Sequence, residues 1–237
     1  MTAPLIAPGA WQCDWTHWQG AINAIALERA GFDIFNLKVG GAIKGGGEFI
    51  DPFFLENFER TYNFTKAQPM AFWYLMPGQG GAQAARFYRQ LQLAGGPKGI
   101  ICELDVEYAP TDTTQPLLKS SDVTEFMDVW NILSEGYPIQ LYTRKNYWEQ
   151  YMRFDPVLIT PVVQIAHYVT SQNDPNKMLA FQQYSDVDPA WWSPQLSSAR
   201  EAYSLQFTGH AYHGGKWIPA SAYRYSLDEV QRELVHL

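Results

Sequence analysis

The sequence is poor in cysteine, in histidine and in charge of either sign gathered into runs. Two cysteines in 237 residues, Cys13 and Cys102, lie far apart in strand-like apolar runs. Without a CxxC pair or metal-ligand spacing they exclude a disulfide scaffold and a zinc ribbon, and read as reduced core residues. No run of apolar residues is long enough to span a bilayer, so no membrane insertion is expected. The opening MTAPLIAPGA lacks Lys and Arg and is broken by prolines, which argues against a secretory leader. The expected product is made in the cytoplasm without a signal peptide. The 17 basic and 24 acidic residues, net charge -7, are dispersed, which argues against nucleic acid as a partner. A GxSxG elbow is missing, and Gly45-Gly-Gly47 lacks the Lys-Ser/Thr of a phosphate loop.

Aromatics are plentiful: 9 Trp, 14 Tyr and 13 Phe. Flat rings suit both a core and the apolar faces of sugars. With 46% hydrophobic residues the chain can bury a full core as one domain, 1–237, and no internal repeat, linker or low-complexity segment divides it.

Short β-rich runs alternate with helical ones. Strands are expected at Trp11–Trp15, Phe32–Val39, Met70–Met76, Ile100–Tyr108 and Pro138–Thr143, with three more after Leu158. Helical spacing covers Ala21–Ala30, Pro52–Thr65, Gly81–Leu93 and Asp122–Glu135, the last with Ser120 and Ser121 as candidate N-caps. This βαβα order predicts an α/β fold, a single irregular (β/α) TIM-like barrel. Gly45–Gly47 and Pro110–Pro116 follow strands as loops, on the face where such barrels build their sites.

The most informative run is Gly99-Ile-Ile-Cys-Glu-Leu-Asp-Val-Glu-Tyr108. Alternate side chains of a strand face opposite ways, so Ile100, Cys102, Leu104 and Val106 form an apolar face and Glu103, Asp105 and Glu107 an acidic one. Three carboxyls at a spacing of roughly 6–7 Å raise one another's pKa, allowing one to hold a proton while another stays ionised. Glycoside hydrolysis needs such a pair. A solvated edge strand or a divalent-ion site is the alternative, and the apolar opposite face disfavours a free edge.

Around that strand, Leu104-Asp-Val-Glu107 resembles the acidic DxE motif of the family 25 glycoside hydrolases, the lysozyme-like muramidases of bacteria and phage. Cys13-Asp-Trp-Thr-His-Trp-Gln-Gly20 resembles the family's opening DVSxxQG, and Phe32–Val39, with Lys38, its second strand. Asp51-Pro-Phe-Phe-Leu-Glu-Asn57 resembles its DPxFxxN segment, Met70–Pro77 its third strand and Leu141-Tyr-Thr143 its fifth. The resemblance implies cleavage of the β-1,4 bond between N-acetylmuramic acid and N-acetylglucosamine in the peptidoglycan glycan strand. It also implies a monomer, with no metal or organic cofactor, acting on the cell wall after release or export, in a phage or prophage lysis setting. Carried over, Glu107 is the acid/base, Asp105 the group that orients substrate or stabilises positive charge, and Asp14 a third acid. Glu103, Trp73, Tyr74, Lys38, Tyr142 and Gln206 are the expected substrate contacts. Trp15, Trp18, Trp191 and Trp192 are further candidates for a sugar platform.

Past Leu158 two registers compete for the family's LWIAxY and WQYS strands. One uses Gln164–Tyr168 and Gln182–Ser185, offering Asp186 or Asp188 as a fourth acid. The other uses Leu179–Tyr184 and Leu205–Thr208, and is preferred because Tyr223–Val230 then resembles the closing FNGSLDEL. Under it the fourth acid becomes Pro219 and the next Asn becomes Ser221, a loss for which Glu103 is the candidate replacement. That departure, with Gly40 and Gly41 where the family has polar residues, supports a second reading: an impaired relative that binds glycan or serves as a phage structural protein. His210-Ala-Tyr-His213, glycine-flanked and without further ligands, reads with His167 as loop rather than metal site.

Overall fold

The computed structural model describes residues 9–42, 47–107, 116–152, 162–166, 168, 202–213 and 216–235. Among the described residues nine strands and six helices follow one another: β1 Ala10–Trp15, α1 Ala24–Arg29, β2 Ile34–Ala42, β3 Glu48–Ile50, α2 Phe54–Phe64, β4 Gln68–Tyr74, α3 Gly80–Leu93, β5 Ile101–Asp105, α4 Ser120–Leu133, β6 Gln140–Arg144, α5 Lys145–Tyr151, β7 Val163–Ala166, β8 Ser204–His213, β9 Lys216–Tyr223 and α6 Leu227–Leu234. The sheet order β1-β9-β8-β7-β6-β5-β4-β2-β3, with β1 also paired to β2, closes eight strands into a barrel and leaves β3 outside it.

The barrel is not wholly parallel, as the sequence had suggested. β9 runs antiparallel to both β8 and β1, because β8 and β9 form a hairpin too short for a crossover helix. His210 and His213 therefore belong to strand β8, not to a loop. Neither register expected for the late strands holds as a whole. Gln164–Ala166 lies on β7 beside β6, and Leu205–Thr208 on β8 beside β7, so each register supplies one half of the arrangement. Leu179–Tyr184, Gln182–Ser185, Asp186, Asp188, His167, Trp191 and Trp192 lie outside the described residues.

Strand parity sorts the chain into two environments. Cys13, Leu37, Trp73, Leu104, Leu141, Ile165, Leu205 and Ala222 point outward into one apolar layer beneath the helices. Both cysteines are buried and unpaired. α2 covers this layer with Phe54, Asn57, Phe58 and Thr61, and α4 with Val123, Phe126 and Trp130, the spacing of one helical face. The rings of Phe87 and Trp130 stack at 5.4 Å where α3 meets α4. At the barrel base, Ile34, Met70, Ile101 and Tyr223 pack against Val230 and Leu234 of α6. A reciprocal cap between Ser226 and Glu229 starts that helix.

Two local expectations change. Ser120 and Ser121 sit inside the first turn of α4, and the cap comes from Asp122, whose Oδ2 accepts from the Lys119 N–H at 2.8 Å. Its Oδ1 accepts from the Gly78 N–H, tying the loop after β4 to α4. Gly40 and Gly41 have a packing reason. A Cβ on Gly40 would lie 2.6 Å from the Phe49 carbonyl oxygen, and one on Gly41, at φ +108°, 2.0 Å from that of Tyr74. Close approach of β2 to β3 and β4 demands glycine there.

Candidate active site

The inward-facing positions change character along the barrel axis. Above the apolar base comes a polar layer of Gln12, Asn36, Glu103, Gln140, Gln164, Ser204 and Ser221, all buried. Above that, at the mouth, a cleft of about 240 Å³ is lined by Asp14, Thr16, Asn36, Lys38, Phe72, Tyr74, Glu103, Asp105, Glu107, Tyr142, Tyr168, Gln206 and Pro219. A larger hollow of about 750 Å³ lies between α1 and α2. Its acids, Glu56 and Glu59, are exposed, so the buried carboxyl chemistry belongs to the smaller cleft.

The strand register brings Asp14, Glu103, Asp105 and Glu107 together. Asp14 is held from two sides: Oδ1 accepts from Gln12 Nε2 at 2.7 Å and Oδ2 from Gln206 Nε2 at 2.6 Å. Burial outweighs these donors and pushes its pKa up to about 6. Glu103 is 2% exposed and accepts from Asn36 Nδ2 at 2.8 Å and Gln140 Nε2 at 2.6 Å. Burial, reinforced by the Asp14 carboxylate, raises it to about 8. Asp105 ends β5, and its Oδ1 is buried without a partner among the described residues. Burial and then the charges of Glu107 and Glu103 hold its pKa well above the usual carboxylate range.

Glu107, two residues beyond β5, is the most exposed of the four. Its Oε2 pairs with Arg144 Nε at 2.7 Å, and the Arg144 Nη2 donates to its backbone carbonyl at 3.3 Å. Burial raises Glu107 to about 6 against the opposing pull of Arg144. Lys38 approaches the rings of Tyr74, Phe49 and Phe72 at 5.0, 5.3 and 5.9 Å. Burial lowers its pKa, and the Asp105 and Asp51 charges oppose that. Tyr142 and Tyr168 both donate to Gln206 Oε1, at 2.8 and 2.6 Å, so one amide links two phenols to Asp14.

Of the expected substrate contacts, Tyr74, Lys38, Tyr142, Gln206 and Glu103 line the cleft. Trp73 does not. It is fully buried, packed against Phe87 and donating to Gln83 Oε1, because neighbours on a strand cannot both face inward and Tyr74 does. Trp15 is likewise buried outside the barrel, while Trp18 on the following loop is 79% exposed. Pro219 lines the cleft and presents a ring where a fourth acid was sought. Asn36, Phe72, Arg144 and Tyr168 escaped the sequence reading. Parity with Lys38 and with Tyr74 would have found Asn36 and Phe72.

The Asp51–Asn57 segment is a scaffold for the mouth. Asp51 accepts from the backbone N–H of His17 and Phe53. Asn57 accepts from Ile22 N and donates to Gly20 O, pinning the loop after β1 onto α2. Among the described residues no cluster of three His, Cys, Asp or Glu has the arrangement of a metal site, and no helix is long and apolar enough to cross a membrane.

The family model for glycosyl hydrolases family 25 matches residues 13–190. Among solved structures, the bacterial lysozyme from Streptomyces coelicolor is similar at a TM-score of 0.72 and 17% identity, covering 96% of this chain and 98% of that one. A family 25 glycosyl hydrolase from Bacillus anthracis gives 0.68 and 20%, covering 98% of each chain. The catalytic domain of endolysin ply40 from bacteriophage P40 of Listeria monocytogenes gives 0.64 and 12%, covering 98% and 99%. No curated protein sequence matches.

Proposed function

From the premise that this chain belongs to glycosyl hydrolases family 25 and is a glycoside hydrolase, we propose that it is a muramidase. Its substrate is the peptidoglycan glycan strand, and the bond cut is the β-1,4 linkage between N-acetylmuramic acid and N-acetylglucosamine. The observation that carries this reading is the convergence of Asp14, Asp105 and Glu107 on one cleft rimmed by Tyr74 and Tyr142.

Glu107 is the acid/base. It is the most exposed carboxyl, next to the opening, and its raised pKa keeps a proton available in mildly acidic solution. It gives that proton to the bridging oxygen as the bond to the sugar C1 breaks. Asp105 lies deeper and stabilises the positive charge that grows at C1, or orients the 2-acetamido group for attack on it. The two acids repel each other and titrate as a pair, and the working form is the one in which the pair's proton sits on Glu107 while the Lys38 charge favours ionised Asp105. Asp14, fixed by Gln12 and Gln206, adds negative potential at the same centre. Tyr74 offers a ring face to the sugar. No metal or organic cofactor takes part, and the chain acts as one monomeric catalytic unit on the cell wall, as a phage or prophage lysin would.

A zymogram on bacterial cell walls tests this. Wild-type protein clears the walls and Glu107→Gln does not, while both fold alike by circular dichroism. Equal clearing by the two, or none by the wild type on any wall, would overturn the reading; the second result would favour the glycan-binding alternative.

A further inference from the structure

Asn36 sits at the cleft floor, 1% exposed, with its two ends in unlike situations. Its Nδ2 donates to Glu103, whereas its Oδ1 is buried with no partner among the described residues. A buried acceptor left unpaired is costly, and one lining a cleft is satisfied by whatever fills the cleft. The other oxygen of Glu103 accepts from Gln140 Nε2, and this second amide is locked. Its Nε2 is shared with Gln164 Oε1 and the Tyr223 hydroxyl, both at 3.3 Å.

Ionised Glu103 only accepts, so it holds the Asn36 NH2 and leaves the carbonyl buried and unpaired at the cleft floor. A protonated carboxyl must donate from one oxygen. The amide able to receive that proton is Asn36, which turns over, giving up its hydrogen bonds to Asp14 and Glu103, offering Oδ1 to Glu103 and presenting NH2 to the cleft. We propose that Asn36 is a specificity residue that contacts the sugar, and that the proton on Glu103 decides whether Asn36 offers it an acceptor or a donor. The acceptor form receives the N–H of a 2-acetamido group; the donor form does not. This inference rests on the glycan-hydrolase reading for its ligand, but the amide reversal stands apart from it.

Other groups titrate around Glu103: Asp14 from β1, Lys38 from β2, Tyr142 from β6 and Tyr223 from β9, with Asp105 and Glu107 on its own side of β5. Comparison with Glu103→Gln isolates its part. Calorimetric affinity of the wild type for an N-acetylglucosamine oligosaccharide should rise roughly three- to tenfold between pH 7 and 9, the worth of about one hydrogen bond. The rise should be absent in Glu103→Gln and in Asn36→Ala, the latter serving if the former does not fold. In the free protein, the Asn36 side-chain amide resonances, identified by their loss in Asn36→Ala, should shift over the same interval. Bound sugar with flat affinity, or a rise that persists in both variants, overturns the specificity role. Unmoved amide resonances overturn the reversal whether or not glycan binds, whereas failure to bind glycan with moving resonances overturns the ligand assignment and the glycan reading with it.

Discussion

Arg144 Nε lies 2.7 Å from Glu107 Oε2, a link between the last residue of β6 and the carboxyl proposed as acid/base. The cation favours the ionised form of Glu107 and burial favours the neutral one, and burial wins.

That balance predicts the pH profile. Turnover should fall as pH rises through about 6, where Glu107 loses its proton. Arg144→Gln removes the opposing charge, so the Glu107 pKa rises and the falling limb moves to higher pH. A limb that stays in place or moves to lower pH, measured as kcat/KM from pH 4 to 9, contradicts the assignment.

Glu107→Gln and Asp105→Asn should each lower turnover by roughly 10² to 10⁴-fold with thermal unfolding little changed. Glu103→Gln should act mainly on KM. A Glu103→Gln loss in kcat as large as that of Glu107→Gln would make Glu103 the fourth acid of the site.

Glu103 also links stability to pH. Its folded pKa of about 8 lies above the 4.5 of an ordinary glutamate, so between these values the folded state binds the extra proton. Its contribution is fully present below about pH 4.5 and is lost as pH rises through about 8, by an amount on the order of a few kcal/mol. Chemical denaturation of wild type and Glu103→Gln at pH 5, 7 and 9 checks this: the wild type should lose more stability across the series than the variant.

Trp73 and Tyr74 should separate stability from binding. Trp73→Ala opens a cavity under α3 and should cost about 3–5 kcal/mol of stability. Tyr74→Ala should leave the unfolding midpoint nearly unchanged and raise KM. The reverse pattern would mean that the strand faces are misassigned.

Turnover should survive EDTA, since carboxyl acid/base chemistry needs no metal. Activity abolished by the chelator and restored by zinc or calcium would refute that.

Much of this protein was legible in the chain itself, because local periodicity reports local environment. The alternation in Ile101–Glu107 separated an acidic face from an apolar one, and helical spacing located α2, α3 and α4 to within a few residues at their ends. The same parity, applied to β4, would have removed Trp73 from the site. Other features depend on contacts between distant segments, and no local pattern encodes them. The strand after β6 was misplaced because the register preferred on the Tyr223–Val230 resemblance put it at Leu179–Tyr184, and only pairing with β6 selects Val163–Ala166. The antiparallel β9 follows from closure of the barrel against β1. The Arg144–Glu107 pair, and the orphaned Asn36 oxygen above a buried Glu103, exist because the register sets side chains 37 and 67 positions apart in sequence within bonding distance. The sequence by itself determined which side chains could share a face of a strand; the closed barrel decided which of those faces meet, and so which acids are buried, paired or left with a proton.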